Sequence, residues 1–460
     1  MPRFNHTQLA EWTDGRWTVE PTDSLTGFGI DTRILEQGQV FVAMRTEHRD
    51  GHDFLKEAAA AGAAAAIVSE VRSDSSIPQL VVSSPLTAFQ TIAREHRRSF
   101  SGKVIGVTGS AGKTSTKNIL RQVLGDRTFA TVGNFNNHLG VPLMLTQLDS
   151  ELHDYAVIEA GISGPGEMEV LASMIEPDAV VVSLIGHAHT ESLLDLDGVA
   201  TEKSRLPAAV SEQGEIFLPG QVAEFPQFDE LKGRRTVVSA VEVLSGSVAE
   251  DVVRFLTIQI EGSTLLSVAF GMSAPESFTI ARVSAGMAQN AALAIAVARR
   301  CGISDAVVQD RLNAWKPDAM RGEVRELDGR LVYLDCYNAN PDAMRDALDA
   351  FVGLTRETDH RLYVLGGMEE LGEITEQAHY DLGASLKLQP QDRLLVVGTG
   401  AQRVKAGALS NGASEAQIQI LGEVAEGLET LAVWAGPIFI KGSRRYRLET
   451  LIQAQPAVVG

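Results

Sequence analysis

The ten residues Gly106-Val107-Thr108-Gly109-Ser110-Ala111-Gly112-Lys113-Thr114-Ser115 constrain this chain more than any other segment. They follow a β-branched run and precede a helical pattern, so they read as a strand, a tight glycine loop and a helix start. Glycine lets successive backbone N–H groups turn toward one anion at the positive end of a helix. Read this way, Gly109, Ser110, Ala111, Gly112, Lys113, Thr114 and Ser115 cradle the phosphates of a nucleotide. Lys113 reaches the β- and γ-phosphates, and the Thr114 hydroxyl ligates Mg²⁺. The common spacing G-x-x-x-x-G-K-[ST] would put a glycine where Val107 stands; this chain has the shorter G-x-x-G-K-T, with Gly109 and Gly112.

The pattern around the loop is α/β. Residues 104–108, 155–159 and 179–184 are short apolar runs with helical patterns such as 115–124 between them, which predicts a parallel sheet covered on both faces. A helix over 285–301 closes this block. Before it, apolar runs at 40–44, 65–69 and 80–83 with a helix near 54–61 predict a small α/β unit, joined by a helix over 85–100. After it, strands at 330–335, 361–366, 393–398 and 437–441 alternate with helices, the pattern of a doubly wound, Rossmann-like domain. The chain of 460 residues has room for two to four domains at roughly 100–200 residues each. We expect three: 1–85, 86–317 and 318–460. Gly398-Thr399-Gly400 lacks the third glycine of a dinucleotide fingerprint and reads as a strand-to-helix turn.

Composition removes several function classes. Forty Lys and Arg against 59 Asp and Glu leave a net charge of −19, which argues against broad binding to nucleic acid or anionic membrane. The alanine-rich stretch 58–68 is about half a membrane span, so no membrane insertion is expected. Residues 1–11 hold no basic region followed by an apolar core, and no secretory signal is expected. Two cysteines, Cys301 and Cys336, cannot build a disulfide framework and read as reduced thiols of a cytoplasmic protein.

The G-x-x-G-K-T loop preceded by Val-Thr resembles the Mur ligase family and its folylpolyglutamate synthase relatives, ATP-dependent enzymes that join a carboxylate to an amine. Further segments match the family in order. Gly133-Asn134-Phe135-Asn136-Asn137-His138-Leu139-Gly140-Val141-Pro142 looks like its G-N-x-N-N-x-x-G-V-P. Asp335-Cys336-Tyr337-Asn338-Ala339-Asn340-Pro341 looks like D-[SC]-Y-N-A-N-P. Gly366-Gly367-Met368-Glu369-Glu370-Leu371-Gly372, with His379 beyond, looks like G-D-M-x-E-L-G…H. Lys441-Gly442-Ser443-Arg444 matches K-G-S-R, and Asp31-Thr32-Arg33 resembles part of the family's UDP-binding domain.

Beside the resemblance stands a reading of the residues themselves. Joining a carboxylate to an amine in water is uphill, and ATP can activate the carboxylate as an acyl phosphate. Phosphoryl transfer is then mostly positioning and charge neutralisation. Glu159 ends an apolar strand beside the loop, where a hard oxygen ligand for Mg²⁺ would sit. The resemblance implies the same role for Glu159. It implies that His189 helps bind a second metal and that Lys203 is carbamoylated by CO₂ to become an anionic ligand. His187 reads as a hydrogen-bonded structural residue. Zinc is not expected, because no cysteine or third clustered histidine completes a site. Asn290 matches an adenine-contacting asparagine, whose amide both donates and accepts. Arg321 and Asp335 flank the hinge into the third block and are implied to contact the nucleotide. Asn134, Asn137, Tyr337, Asn338 and Asn340 belong to the motifs implied to hold the other substrates. Three segments depart from the family pattern: Arg205 where glutamate is frequent, Gly286-Met287 where His-Asn is usual, and Gly367 in place of aspartate.

The architecture implied is a small N-terminal UDP-binding domain, a central ATPase domain with a parallel sheet, and a C-terminal Rossmann-like domain for the incoming dipeptide. The implied reaction is addition of D-Ala-D-Ala to a UDP-N-acetylmuramoyl tripeptide, catalysed by a cytoplasmic monomer using Lys113, His189 and Lys203. Two alternatives stand beside it: a ligase of the same fold with another acid or amine, and a nucleotide-binding regulator without chemistry.

Overall fold

The computed structural model describes residues 2–242 and 251–453, and its chain is organised around three sheets. The central sheet has nine strands. From one edge to the other they are Glu276–Ala281, Ser263–Phe270, Val252–Ile260, Arg234–Ala240, Glu215–Pro219, Ala179–Val182, Lys103–Thr108, Tyr155–Glu159 and Thr128–Ala130. Lys103–Thr108 pairs in parallel with Tyr155–Glu159 on one side and Ala179–Val182 on the other. Strands flanked and covered in this way bury both faces, which is why all three are continuous apolar runs. The chain leaves Lys103–Thr108 toward one edge and later returns to its other side, making a crevice at the carboxyl ends of the strands.

The sheet is mixed rather than parallel throughout. Val252–Ile260, Ser263–Phe270 and Glu276–Ala281 form an antiparallel extension. Its strands alternate buried and open residues, and Val252–Ile260 ends in an exposed tip. An edge with one face against the core leaves no continuous apolar run to read in the sequence.

The N-terminal sheet orders Arg16–Trp17, Gln79–Val81, Ala65–Val68, Val40–Val42 and Phe28–Gly29, with an antiparallel pair at one edge. The helix Pro85–Ser99 follows it. Ser84 caps its first turn by accepting from Thr87 N–H (3.2 Å), and Pro85 supplies the fixed φ favoured there. Its buried Phe89, Ile92 and Ala93 belong to an apolar cluster that runs unbroken from Phe4 and Leu9 to Val180 and Phe228. The helix is therefore a shared wall between the first and second sheets. The buried guanidinium of Arg97 crosses that wall to Ile175 O (3.0 Å) and Asp178 Oδ2 (2.9 Å).

The third sheet orders Glu323–Leu327, Arg330–Asp335, Ile438–Lys441, Leu362–Gly366, Arg393–Val397 and Ile418–Leu421. It is parallel apart from the hairpin that opens it. The helix Pro341–Leu354 follows the strand Arg330–Asp335 and brings its N-terminus against the phosphate loop: Asn340 Nδ2 donates to Ser110 O (3.4 Å). Among the described residues, no helix is long and apolar enough to cross a membrane.

Candidate active site

Gly109 and Gly112 have φ of +148° and +79°, conformations that L side chains rarely adopt. A Cβ at Gly109 would stand 2.1 Å from Ser183 Oγ, and one at Gly112 would stand 2.7 Å from Asn290 Nδ2. The loop is pinned from the neighbouring strand. Ser183 Oγ donates to Ala111 O (2.5 Å), Ser110 Oγ donates to Gly186 O (2.8 Å), and Gly186 N–H donates back to Ser110 Oγ (3.0 Å). The helix Lys113–Leu124 starts at Gly112 without a side-chain cap, so its first N–H groups face the crevice.

A cavity of about 730 Å³ opens there between the second and third sheets. It gathers Ser110, Ala111, Gly112, Lys113, Thr114, Ser115, Asn134, Asn137, Glu159, His189, Asn290, Arg321, Asp335, Tyr337, Asn338 and Asn340. Gly109 lies buried behind this lining, as does Lys203. Asp31, Thr32 and Arg33 stand apart from it in the N-terminal domain.

The charges of the cavity are incompletely matched. Glu159 Oε1 accepts from Asn136 Nδ2 (2.8 Å) and Thr114 Oγ1 (3.2 Å), while Oε2 is buried without a hydrogen bond. Lys117 Nζ, itself buried, stands 4.0 Å from that oxygen and donates to Thr131 O (2.8 Å). Lys113 Nζ folds back onto Gly109 O (2.8 Å); burial lowers its pKa, partly offset by Glu159. Lys203 is fully buried, and its Nζ has no partner. Burial and the Lys113 charge push its pKa well below the ordinary lysine value.

A divalent cation fits this donor set, because the Glu159 oxygen left without a hydrogen bond is a hard, buried ligand. Among the described residues, no group of three or more His, Cys, Asp and Glu side chains forms a ready-made cluster.

On the opposite wall, the Arg321 guanidinium lies 3.9 Å over the Tyr337 ring. Lys441 Nζ donates to Asp335 Oδ2 (2.6 Å) and to Asn338 O (3.2 Å). Asn340 caps the helix Pro341–Leu354 through Ala343 N–H (2.8 Å), and Asn137 accepts from Leu139 and Gly140 N–H. These asparagines shape backbone as well as line the cavity. The motif reading passed over Lys117 and, within its own asparagine doublet, the role of Asn136. A lysine one turn after Lys113 was the visible signal for the first.

The three departures have local causes. Arg205 is exposed and pairs with Glu169 (3.0 Å) and Glu202 (3.2 Å), away from the cavity. Gly286 N–H donates to Asp346 Oδ1 (2.9 Å), and a Cβ at Gly286 would meet that carboxylate at 2.7 Å. A Cβ at Gly367 would stand 2.6 Å from Thr399 O, so a larger side chain there needs the neighbouring loop to move.

Comparison with known proteins agrees with this layout. Residues 24–97 match the Mur ligase family catalytic domain, 107–298 the Mur ligase middle domain, and 320–444 the Mur ligase glutamate ligase domain. The UDP-N-acetylmuramoyl-tripeptide–D-alanyl-D-alanine ligase of Bacillus subtilis (strain 168) is 32% identical over 395 residues, covering 84% of this chain and 82% of that one. Among solved structures, MurF from Acinetobacter baumannii superposes with a TM-score of 0.86 at 27% identity, covering 98% of both chains. MurF from Thermotoga maritima in complex with ADP gives 0.78 at 26% identity, over 93% of this chain and 96% of that one. A phosphate loop in the shorter spacing, a cavity between two α/β domains and three family domains matched in order lead to one conclusion: this chain belongs to the Mur ligase family.

Proposed function

We propose that the chain is an ATP-dependent ligase that adds D-Ala-D-Ala to UDP-N-acetylmuramoyl tripeptide in cytoplasmic peptidoglycan precursor synthesis. The observation that carries this reading is the interdomain cavity, where a phosphate loop, its lysine and a buried carboxylate with one oxygen free of hydrogen bonds converge. The cavity is complete within one chain, which suits a monomer. Roles divide over residues 1–85 for the UDP substrate, 86–317 for ATP and 318–460 for the dipeptide.

A carboxylate oxygen of the tripeptide attacks the γ-phosphorus of ATP. The bond to the β,γ-bridging oxygen breaks, and ADP leaves. The amine of the dipeptide then attacks the acyl-phosphate carbon, giving a tetrahedral centre. Collapse breaks the C–O bond to phosphate, and the amine proton passes to solvent or the leaving phosphate. Lys113 turns from Gly109 O to the transferred phosphoryl group, in a site where a preorganised charge counts for more than in water. Gly109 to Ser115 supply backbone donors. Asn290, Arg321 and Asp335 hold the nucleotide. Asp31, Thr32 and Arg33 hold the UDP group, and Asn134, Asn137, Tyr337, Asn338 and Asn340 hold the remaining substrate parts.

Thr114, Glu159, His189 and Lys203 would hold Mg²⁺, which when bound neutralises charge on the transferred group. Lys203 suits this after modification: its neutral amine attacks CO₂, forms an N–C bond and loses one proton to become a carbamate. A buried amine with a depressed pKa is already in the form that reacts.

An ATP-dependent ligation assay read by mass spectrometry tests the function. Protein, Mg²⁺, bicarbonate and a set of UDP-muramoyl tripeptides are offered D-Ala-D-Ala or other amines. A UDP-linked pentapeptide with equimolar phosphate supports the reading and names the tripeptide. Turnover only with another acid or amine moves the enzyme to another pathway, and ATP binding without turnover favours a regulator.

A further inference from the structure

The cavity crosses the carboxyl ends of the central sheet, and its two sides differ. On one side stand Asn134, Asn136 and Glu159, at or just beyond the strands Thr128–Ala130 and Tyr155–Glu159. The phosphate loop, which follows Lys103–Thr108, lies between the sides. On the other side stand Gln221, Ala240 and Phe255, from the strands Glu215–Pro219, Arg234–Ala240 and Val252–Ile260 or just after them. A nucleotide that rests its phosphates on the loop, with the last one toward Lys113 and Glu159, has its base on this second side.

The helix Ala285–Arg300 runs along the second side. Its Asn290 stands against the loop, where a Cβ at Gly112 would meet Nδ2 at 2.7 Å. Gly286 is one helical turn farther from the loop on the same face. There the C-terminal domain supplies a carboxylate. Gly286 N–H donates to Asp346 Oδ1 (2.9 Å), and the Ser284 hydroxyl adds a second hydrogen bond. The start of the helix, with its outward N–H groups, favours a negative charge at this point. Burial raises the Asp346 pKa, while the hydrogen bonds from Ser284 and Gly286 hold it down. The cation that acts on it, Lys441, is engaged by Asp335 Oδ2 (2.6 Å). An ionised carboxylate offers about four acceptor positions and no donor. Ser284 and Gly286 use part of that capacity, and Asp346 lines the cavity.

Gly286 makes room for this carboxylate. A Cβ there would stand 2.7 Å from Asp346 Oδ2, so any larger side chain at 286 displaces Asp346. The glycine and the aspartate are one device, placed where a base would lie. Adenine presents an exocyclic amino group, a donor. Hypoxanthine and guanine present a carbonyl at the same ring position, and two acceptors facing each other repel.

We propose that Asp346 is the specificity-determining residue for the nucleotide base: its carboxylate accepts from the exocyclic amino group of adenine and turns away purines that carry a carbonyl there. This rests on the reading of the chain as an ATP-dependent ligase. Selectivity then depends on the C-terminal domain being docked, because the group that reads the base comes from the far side of the cavity.

The test is calorimetric binding of ADP and inosine diphosphate to the full chain with Mg²⁺. The two ligands share sugar and phosphates. The wild type should bind ADP at least about 100-fold more tightly, since a site built to hydrogen-bond one group rejects an analogue that lacks it. Purine riboside diphosphate, with neither amino group nor carbonyl, should fall between them. D346N keeps an acceptor for Gly286 N–H and gains a donor. It should bind ADP about 10-fold more weakly, as for one lost charge-assisted hydrogen bond, and inosine diphosphate more tightly than the wild type does. G286A, whose Cβ displaces the carboxylate, should weaken ADP with no gain for inosine diphosphate. A wild type that binds the three diphosphates alike overturns the proposal, whether or not the variants fold. So does a D346N that weakens ADP and inosine diphosphate by the same factor, which would mean that Asp346 only docks the domain. Selective ADP binding with no ligation of any acid and amine would refute the ligase reading and leave Asp346 as the reader of the base.

Discussion

Two regions of this molecule carry charge suited to phosphate-bearing ligands, and they solve the problem in opposite ways. At the central loop, the charged groups are buried and incompletely partnered: Lys203 Nζ and Glu159 Oε2 have no hydrogen bond, and Lys113 rests on a carbonyl of its own loop. In the N-terminal domain, Arg33 is exposed and grips Asp31 through three contacts of 2.5–3.2 Å. That guanidinium holds the Asp31 pKa down at about 2. The first region stores unmet demand in and beneath the lining of the cavity. The second is satisfied within itself and has to exchange one partner for another when a ligand arrives. Chemistry belongs to the first arrangement and reversible binding to the second, because a preorganised charge needs no rearrangement as the reaction proceeds.

The contrast breaks most visibly at Lys113. K113A should lower kcat by about 10²–10³-fold, the size of losing one preorganised charge stabiliser. Calorimetric binding of the UDP substrate should stay near wild type, since the site we propose for it is in another domain. A parallel loss of UDP-substrate affinity would mean that the two regions are not independent.

Lys203 sharpens the same side. K203M should abolish measurable ligation yet make the unmodified protein more stable by about 1–3 kcal/mol, the cost of a buried polar group left unsatisfied. Denaturant melts in CO₂-free buffer would show it. A destabilised K203M would mean that the amine has a partner in solution.

R33A probes the other side. The UDP-substrate Kd should rise about 10-fold, in keeping with the loss of one charge-assisted hydrogen bond. The kcat at saturation should be unchanged, and stability should move by no more than about 0.5 kcal/mol, as for exposed pairs in general. A fall in kcat would place Arg33 in the chemistry.

The smallest expected effect is a pH dependence. His379 is fully buried; Nδ1–H donates to Thr375 O (2.7 Å), and Nε2 accepts from Met368 N–H (2.9 Å). The second bond requires a neutral ring, because a protonated Nε2 cannot accept, and burial lowers the ring's pKa below 6.5, partly offset by the Thr375 carbonyl. The unfolded chain therefore binds this proton more readily than the folded one. The stabilisation is present above about pH 6.5 and is lost as pH falls, by no more than about 1.4 kcal/mol per pH unit. Denaturant midpoints between pH 7.5 and 5.5 should fall less steeply for H379Q than for the wild type. Equal slopes would remove His379 from the account.

What could be read in the sequence follows the same physics. Lys103–Thr108, Tyr155–Glu159 and Ala179–Val182 are buried on both faces, and so their apolar runs are plain in the chain. The antiparallel extension at Val252–Ile260 and Ser263–Phe270 is half open, alternates, and escapes a search for continuous runs. At the site, the glycine loop and Glu159 were legible because their chemistry demands fixed residue types at fixed spacing. The partners that arrive from another domain were not. Asp346 fills the space left by Gly286, and Glu370 meets His189, across 60 and 181 residues of chain. Nothing local in the sequence records such a meeting.

The central claim is that the buried, incompletely hydrogen-bonded charges at the loop serve to activate a carboxylate by phosphorylation. The direct measurement is isotope transfer during ligation, using UDP-muramoyl tripeptide with ¹⁸O in its terminal carboxylate, unlabelled ATP and D-Ala-D-Ala. If an acyl phosphate forms, each inorganic phosphate released carries one ¹⁸O from the carboxylate, and the new amide keeps the other. Product formed with no ¹⁸O in the phosphate would contradict the account and require another route to the amide.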